Sequence, residues 1–139
     1  GISVGALIKP WKDGSWHFQI AGGKSISRFL GDITGDANLL ISPEGIGILP
    51  LELGYYATYQ HEWNEKFLSN FVYGRVQIEE FSFTPDNTYS WGSAFHINTF
   101  YKPVDGAKAG FEGIWGTRTD KNTDMGNAFR FNMIFYYDF

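Results

Sequence analysis

Three arginines have the residue type and spacing best suited to chemistry with a small ligand. Arg75, Arg118 and Arg130 lie in segments where polar residues alternate with apolar ones. A guanidinium group keeps its charge and can bind carboxylates or phosphates through two parallel hydrogen bonds. Arginines that face a confined aqueous passage therefore favour small anions.

Arg118 and Arg130 flank a predicted turn near residues 123–125. Antiparallel pairing about this turn brings the two side chains close together on one face, so we expect them to be near neighbours. The alternative is that they form salt bridges to Glu112 or Glu52 and stiffen the wall. The sequence leaves both interpretations open.

The elements that position these residues are predicted to be β-strands. Period-two alternation runs along the chain, and no 3.6-residue stripe is convincing. Several strands are longer than the five or six residues typical of soluble sheets, whereas a tilted membrane strand needs roughly 9–11 residues. The predicted strands are Ile2–Trp11, Trp16–Gly23, Leu51–Trp63, Phe67–Phe81, Trp91–Val104, Ala109–Asp120 and Ala128–Phe139.

The connections between these strands alternate in length. Those at Asp13-Gly14, Asn64–Lys66 and Asp105-Gly106 are short, and Asp-Gly is a strong hairpin signal. Transmembrane barrels combine short periplasmic turns with longer extracellular loops. We therefore expect three extracellular connections, at about residues 24–50, 84–90 and 121–127.

The third, fifth, sixth and seventh strands are each predicted to have a polar inner face and an aromatic outer face. The last strand is the clearest, with Phe129, Phe131 and Phe135 on one side and Arg130 and Asn132 on the other. The predicted pore-lining or solute-binding residues are Arg75, His96, Asn98, Lys102, Glu112, Arg118, Arg130 and Asn132.

The fourth strand does not follow this division. Placing Arg75 inside also places Phe71 and Tyr73 inside, and it turns Asn70 outward. A β-bulge near Gly74 would resolve the conflict.

Aromatic residues near the strand ends predict two girdles at the membrane interfaces. Trp91 and Tyr101 share a face and lie ten residues apart, which spans roughly 25 Å along the membrane normal. The predicted girdle residues are Trp63, Trp91, Tyr101 and Trp115.

Composition excludes several classes of protein. A net charge of −4 argues against a nucleic-acid partner, and the absence of cysteine excludes disulfides and cysteine-ligated metals. The sequence has no apolar run long enough for a transmembrane helix.

Catalytic and metal-binding patterns are weak. His17, His61 and His96 fall on different strands, and we find no hydrolase or metalloprotease motif, so we predict no enzyme activity and no cofactor. Asp32 and Asp36 offer oxygen ligands in the long connection and suggest at most a weak calcium site, against the alternative of a solvated loop.

The last strand resembles the terminal strand signal of bacterial outer-membrane proteins. That signal ends in Phe and has apolar residues at alternate positions, here Phe135, Tyr137 and Phe139. The resemblance implies that the barrel-assembly machinery recognises this strand. It also implies a Gram-negative outer membrane, with the lipid bilayer and lipopolysaccharide as surroundings.

The segments 96–104, 110–118 and 126–130 resemble the closing strands of DcaP-like trimeric porins. The resemblance implies a homotrimer of larger barrels that pass small anionic solutes by diffusion. The chain is then a single segment, residues 1–139, from the C-terminal part of a larger transmembrane barrel.

Two other classes remain as alternatives. A soluble calycin-like or avidin-like barrel that binds an apolar ligand would turn the aromatic face inward. An outer-membrane enzyme or a purely structural barrel ranks last, because the catalytic motifs are absent.

Overall fold

The computed structural model describes residues 1–30 and 39–137, except for the side chain of Arg28. The described chain is dominated by an antiparallel sheet of seven long strands, each paired with the next one along the sequence. The predicted all-β, up-and-down architecture is confirmed. The long strands are β1 (Ile2–Trp11), β2 (Gly14–Lys24), β5 (Leu51–Glu62), β6 (Phe67–Ile78), β7 (Tyr89–Tyr101), β8 (Ala107–Asp120) and β9 (Met125–Tyr137).

The connection from β2 to β5 carries three short elements. A 3-10 helix spans Ser27–Phe29, and β3 (Leu40–Ile41) pairs with β4 (Gly47–Ile48) in a small antiparallel ladder. Across the described ranges, no helix is long and apolar enough to cross a membrane.

Residues paired across an antiparallel ladder point to the same face, so the register divides the sheet into two faces. The polar face carries Gln60, Asn70, Asn98, Glu112 and Asn132. The aromatic face carries Tyr55, Tyr73, Phe95, Trp115 and Phe129, among others.

The strand β6 pairs with both neighbours without a bulge, so the bulge predicted near Gly74 is wrong. Phe71 and Tyr73 lie on the aromatic face, and Asn70 lies on the polar face. Arg75 therefore also lies on the aromatic face, and its assignment to the polar lining is wrong.

The sheet has no conventional apolar core. Among the described residues, the buried apolar side chains are Val76, with 5% of its surface exposed, and Pro50. Phe129 and Phe135 are 68% and 70% exposed. Most of the exposed apolar surface thus lies on one outer face of a single layer.

Local turn chemistry closes the short connections. The Asn64 side-chain oxygen accepts hydrogen bonds from the backbone N–H groups of Lys66 and Phe67, at 2.9 and 3.0 Å. Gly106 has a φ of +78°, in the left-handed region that glycine adopts without strain. The predicted hairpins at these positions are confirmed.

The last hairpin is tighter than predicted. The strand β8 continues to Asp120 and β9 begins at Met125, so the connection is residues 121–124. The Asp120 N–H donates to the Asp124 carbonyl at 2.9 Å, and Thr123 has a φ of 71°. The predicted long connection at residues 121–127 is wrong, and the alternation of short and long connections fails here.

The described sheet is open. Its two edges are β1 and β9, which pair with β2 and β8 respectively and not with each other.

We predict that Gly110→Ala destabilises the sheet. A Cβ atom at Gly110 would lie 2.6 Å from Phe100 Cε1 and 2.9 Å from Ile134 Cγ2, in contact with both neighbouring strands. Overpacking of this kind costs about 1–3 kcal/mol. The measurement is the free energy of unfolding in urea, compared between the wild type and the variant.

Gly116→Ala is the matched control, because Gly116 lies on the same face of β8 and nothing lies within 4 Å of its added Cβ. Equal stability of the two variants would contradict the packing argument.

Candidate functional site

A row of polar residues crosses the polar face from β2 to β9. Each member is the direct Cα partner of the next, so the row follows the hydrogen-bonding direction of the sheet. We call this row the polar ladder. Its members are Ser15, Gln60, Asn70, Asn98, Glu112 and Asn132.

Side-chain hydrogen bonds join two neighbouring pairs of the polar ladder. Asn70 Nδ2 donates to Asn98 Oδ1 at 2.7 Å, and Asn132 Nδ2 donates to Glu112 Oε2 at 2.9 Å. Asparagine amides offer both donors and acceptors, so the ladder can exchange hydrogen bonds with water or with a polar solute.

Two residues of the adjacent row connect to Glu112. His96 Nδ1 lies 3.2 Å from Glu112 Oε1, and it must donate there because an ionised carboxylate only accepts. Arg130 Nε donates to Asn132 Oδ1 at 2.8 Å, and Asn132 Nδ2 in turn donates to Glu112, so Asn132 bridges Arg130 and Glu112. The structure thus brings together five of the predicted site residues, which are His96, Asn98, Glu112, Arg130 and Asn132.

Arg118 lies on the polar face but not beside Arg130. Its Cα partner is Gly126, whereas the partner of Arg130 is Ile114. The two arginines are therefore separated by four residues along the strands, about 13 Å, and their predicted adjacency is wrong. The reason is the tight last hairpin, which shifts the pairing of β9 against β8.

Arg118 is held by an acidic neighbour on its own strand. Its Nε donates to Asp120 Oδ1 at 2.7 Å, and its guanidinium carbon lies 5.6 Å from the centre of the Tyr89 ring. The alternative, salt bridges from these arginines to Glu112 or Glu52, does not occur among the described side chains either. Asp120 partly neutralises Arg118 instead.

Two other predicted site residues lie away from the polar ladder. Lys102 follows the end of β7, where its backbone N–H donates to the Lys66 carbonyl at 2.9 Å. Arg75 lies on the aromatic face, with its guanidinium carbon 4.0 Å from the centre of the Trp91 ring. Neither residue contributes to the group around Glu112.

Part of the long connection covers the polar face beside β5. Glu52 is fully buried and Ser27 is 1% exposed. Leu30 also packs against β5, because a Cβ added at Gly54 would lie 2.8 Å from Leu30 Cδ2. The sequence did not indicate this cover, since a single 3-10 turn carries no periodic signal.

Small residues form a shallow groove on the polar face of β7, β8 and β9. Ala94, Gly116 and Ala128 are direct partners in one row, and Gly92 and Gly126 flank Arg118 in a neighbouring row. The groove has a volume of about 460 Å³ and includes Arg118 and Tyr89 in its lining. Sequence reasoning missed it, although the alternate Gly and Ala residues of these strands are its signal.

The predicted girdle residues all lie on the aromatic face, but not all at strand ends. Tyr101 stacks on Phe67 with ring centres 4.6 Å apart, and Trp63 Nε1 donates to Ser69 Oγ at 3.0 Å. Trp91 lies near the start of β7, whereas Trp115 lies well inside β8.

Some predicted residues fall outside the described part. Phe135 and Tyr137 lie on the exposed aromatic face of β9, whereas Phe139 is outside the described residues. Asp32 and Asp36, the candidate calcium ligands, also lie outside the described residues.

Comparison with known proteins supplies one strong structural likeness. No family model and no curated protein matches the sequence. The structure is similar to that of the outer membrane channel DcaP of Acinetobacter baumannii, with a TM-score of 0.84 and 12% sequence identity. The match covers 99% of this chain and 40% of that chain. The chain therefore has the fold of part of an outer-membrane channel and spans less than half the length of its structural relative.

Proposed function

We propose that the chain forms part of the wall of an outer-membrane diffusion channel for small hydrophilic solutes, with a preference for anions. The observation that carries this proposal is the division of one sheet into a hydrogen-bonding face and an exposed aromatic face. A wall between water and lipid needs both faces.

The polar face supports contact with water. Four members of the polar ladder are amides, and the Glu112 carboxylate accepts hydrogen bonds from His96 and Asn132. Polar groups without water or partners would be costly, so such a row is expected to line an aqueous lumen.

The aromatic face supports contact with lipid. Its exposed side chains extend across the strands, with Phe129, Phe131 and Phe135 in sequence along β9. A soluble protein rarely leaves a contiguous apolar surface of this extent in water, whereas a bilayer covers it.

The passage itself is proposed to lie along the groove of small residues. The residues around Ser27 and Leu30 cover the polar face at β5, so solutes would pass on the side of β7, β8 and β9. Gly116 and Ala128 leave room there, and Arg130 lies one row away.

The preference for anions is proposed to depend on Arg130. The Arg118–Asp120 pair contributes no net charge, whereas Arg130 binds the neutral amide of Asn132. The negative charge of Glu112 acts against the positive charge of Arg130. Arg130 therefore raises the local electrostatic potential, and Glu112 lowers it.

The proposed surroundings follow from the same assignment. The channel would lie in the outer membrane of a Gram-negative bacterium, in contact with lipopolysaccharide. It would be a homotrimer of larger barrels, inserted by the barrel-assembly machinery through the last strand. The segment described here would then be its C-terminal part.

The membrane assignment predicts that the full-length protein needs detergent or lipid. Size-exclusion chromatography should give a defined species only with detergent, because water cannot cover the aromatic face. The detergent-solubilised protein should add stepwise conductance to a planar lipid bilayer. A monodisperse, detergent-free monomer without conductance would instead favour the soluble ligand-binding barrel.

Replacing Arg130 is predicted to weaken anion selectivity. A unit charge about 8 Å from a passing ion contributes about 0.5 kcal/mol in water, which is roughly a twofold change in partition. Arg130→Gln should therefore lower the anion-to-cation permeability ratio, and Glu112→Gln should raise it. Reversal potentials across a salt gradient measure both effects, which should be larger at low salt.

The matched control removes charges without changing their sum. The double variant Arg118→Gln/Asp120→Asn replaces an ion pair on the same face and should leave the reversal potential nearly unchanged. An Arg130→Gln channel with wild-type selectivity would assign Arg130 to structure alone.

Deletion of Phe139 is predicted to reduce outer-membrane insertion more than synthesis. The proposed reason is that the assembly machinery binds the aromatic residues that end the last strand. Quantitative fractionation of cells measures the inserted and total protein. Tyr136→Ala removes an aromatic side chain from the other face of the same strand and should insert normally. Wild-type insertion of the deletion variant would contradict the assembly role.

A further inference from the structure

Arg75 is a cation on a face that is otherwise rich in aromatic residues. Its Nε is buried and has no hydrogen-bond partner, and its guanidinium carbon lies over the Trp91 ring, 4.0 Å from the ring centre, in a cation–π contact. Arginine remains charged in proteins, so this group carries a full positive charge. An unpaired charge on a lipid-facing surface needs an explanation.

A second polar atom near Trp91 also lacks a partner. Thr119 lies on the aromatic face of β8, is 7% exposed, and its Oγ1 makes no hydrogen bond within the described part of the chain. Trp91 pairs directly with Gln77 of β6 and with Thr119 of β8. Two unpaired polar atoms thus lie on the strands either side of one tryptophan.

The acidic residues closest to Arg75 in the sequence, Glu79 and Glu80, have other partners. Glu79 accepts a hydrogen bond from the Leu51 backbone at 3.0 Å, and Glu80 accepts one from Ser90. No described carboxylate forms a salt bridge with Arg75. An anion that pairs with Arg75 must therefore come from outside the described chain.

The position of Arg75 along β6 places it close to one edge of the lipid-facing apolar band. Arg75 and Phe67 share a face and are eight residues apart, which is about 20 Å along the membrane normal for a tilted strand. The apolar band of such barrels is about 25 Å tall, and tryptophan prefers the headgroup level. Arg75 is long enough to reach that level from inside the band.

We propose that Arg75, supported by Trp91 and flanked by Gln77 and Thr119, binds the phosphate group of an anionic lipid at the long-connection end of the barrel. This inference rests on the proposed membrane location. The guanidinium fork matches a phosphate in charge and geometry, and the indole ring holds the fork at the membrane border.

The test measures retention of a phosphorylated lipid by the full-length protein. Purified protein in a neutral detergent is titrated with diphosphoryl lipid A, and bound lipid is counted by native mass spectrometry. Arg75→Gln should bind about tenfold more weakly, as expected when a charge-assisted hydrogen bond is lost. Lipid A without its phosphates should bind the wild type and the variant equally.

Matched variants separate this site from general effects of charge. Arg118→Gln makes the same charge change on the opposite face and should retain wild-type lipid binding. Arg75→Leu also removes the charge, and it places an apolar side chain on an apolar face. It therefore allows the same comparison of lipid A binding with the wild type if Arg75→Gln folds poorly.

The outcomes distinguish this inference from the proposed function. Wild-type lipid A affinity in both Arg75 variants would overturn the lipid site, while bilayer conductance would still support the channel. Loss of the oligomer without loss of lipid binding would also overturn it, because Arg75 would then contact a second copy of the chain. Failure of the wild type to conduct would count against the channel instead.

Discussion

The antiparallel pairing from β2 to β9 determines the position of every residue in the polar ladder. Side chains alternate between faces, so a slip by one residue would exchange the polar ladder with the aromatic face. In a bilayer, each backbone N–H and C=O within the apolar band must bond to a neighbouring strand. In the proposed channel, the same strand pairing would therefore satisfy the backbone and separate the surface that meets lipid from the surface that meets water.

The sequence predicted the faces of a strand correctly where one face was polar along its length and the other was aromatic. In β9, aromatic residues alternate with Arg130 and Asn132, and the predicted faces are those of the structure. In β6 the prediction assumed that a charge must face water, although Phe71 and Tyr73 indicated the opposite. The contact with Trp91 allows Arg75 to remain on the aromatic face, and no local pattern shows such a cross-strand contact.

Axial register was harder to predict than the faces. Alternation fixes which side chains share a face, but sliding one strand by two residues leaves every face unchanged. The centre of the last hairpin depends on Thr123, a non-glycine residue with positive φ, and the sequence pattern does not indicate that conformation. The predicted contact between Arg118 and Arg130 failed for this reason. The contact between Leu30 and β5 was equally hidden, because it joins a short turn to a distant strand.

The edge strand β9 links the electrostatics of the site to the rest of the barrel. Arg130 and Asn132 bond within their own strand and to β8, and the other edge of β9 has no partner strand in the described sheet. An open strand edge is not tolerated in lipid, so a membrane wall needs a further strand along β9, from elsewhere in the same chain or from another copy. That strand would place side chains directly opposite Arg130 and Asn132. The field at the polar ladder is therefore set jointly by Arg130, by Glu112 and by whichever residues the adjoining strand presents.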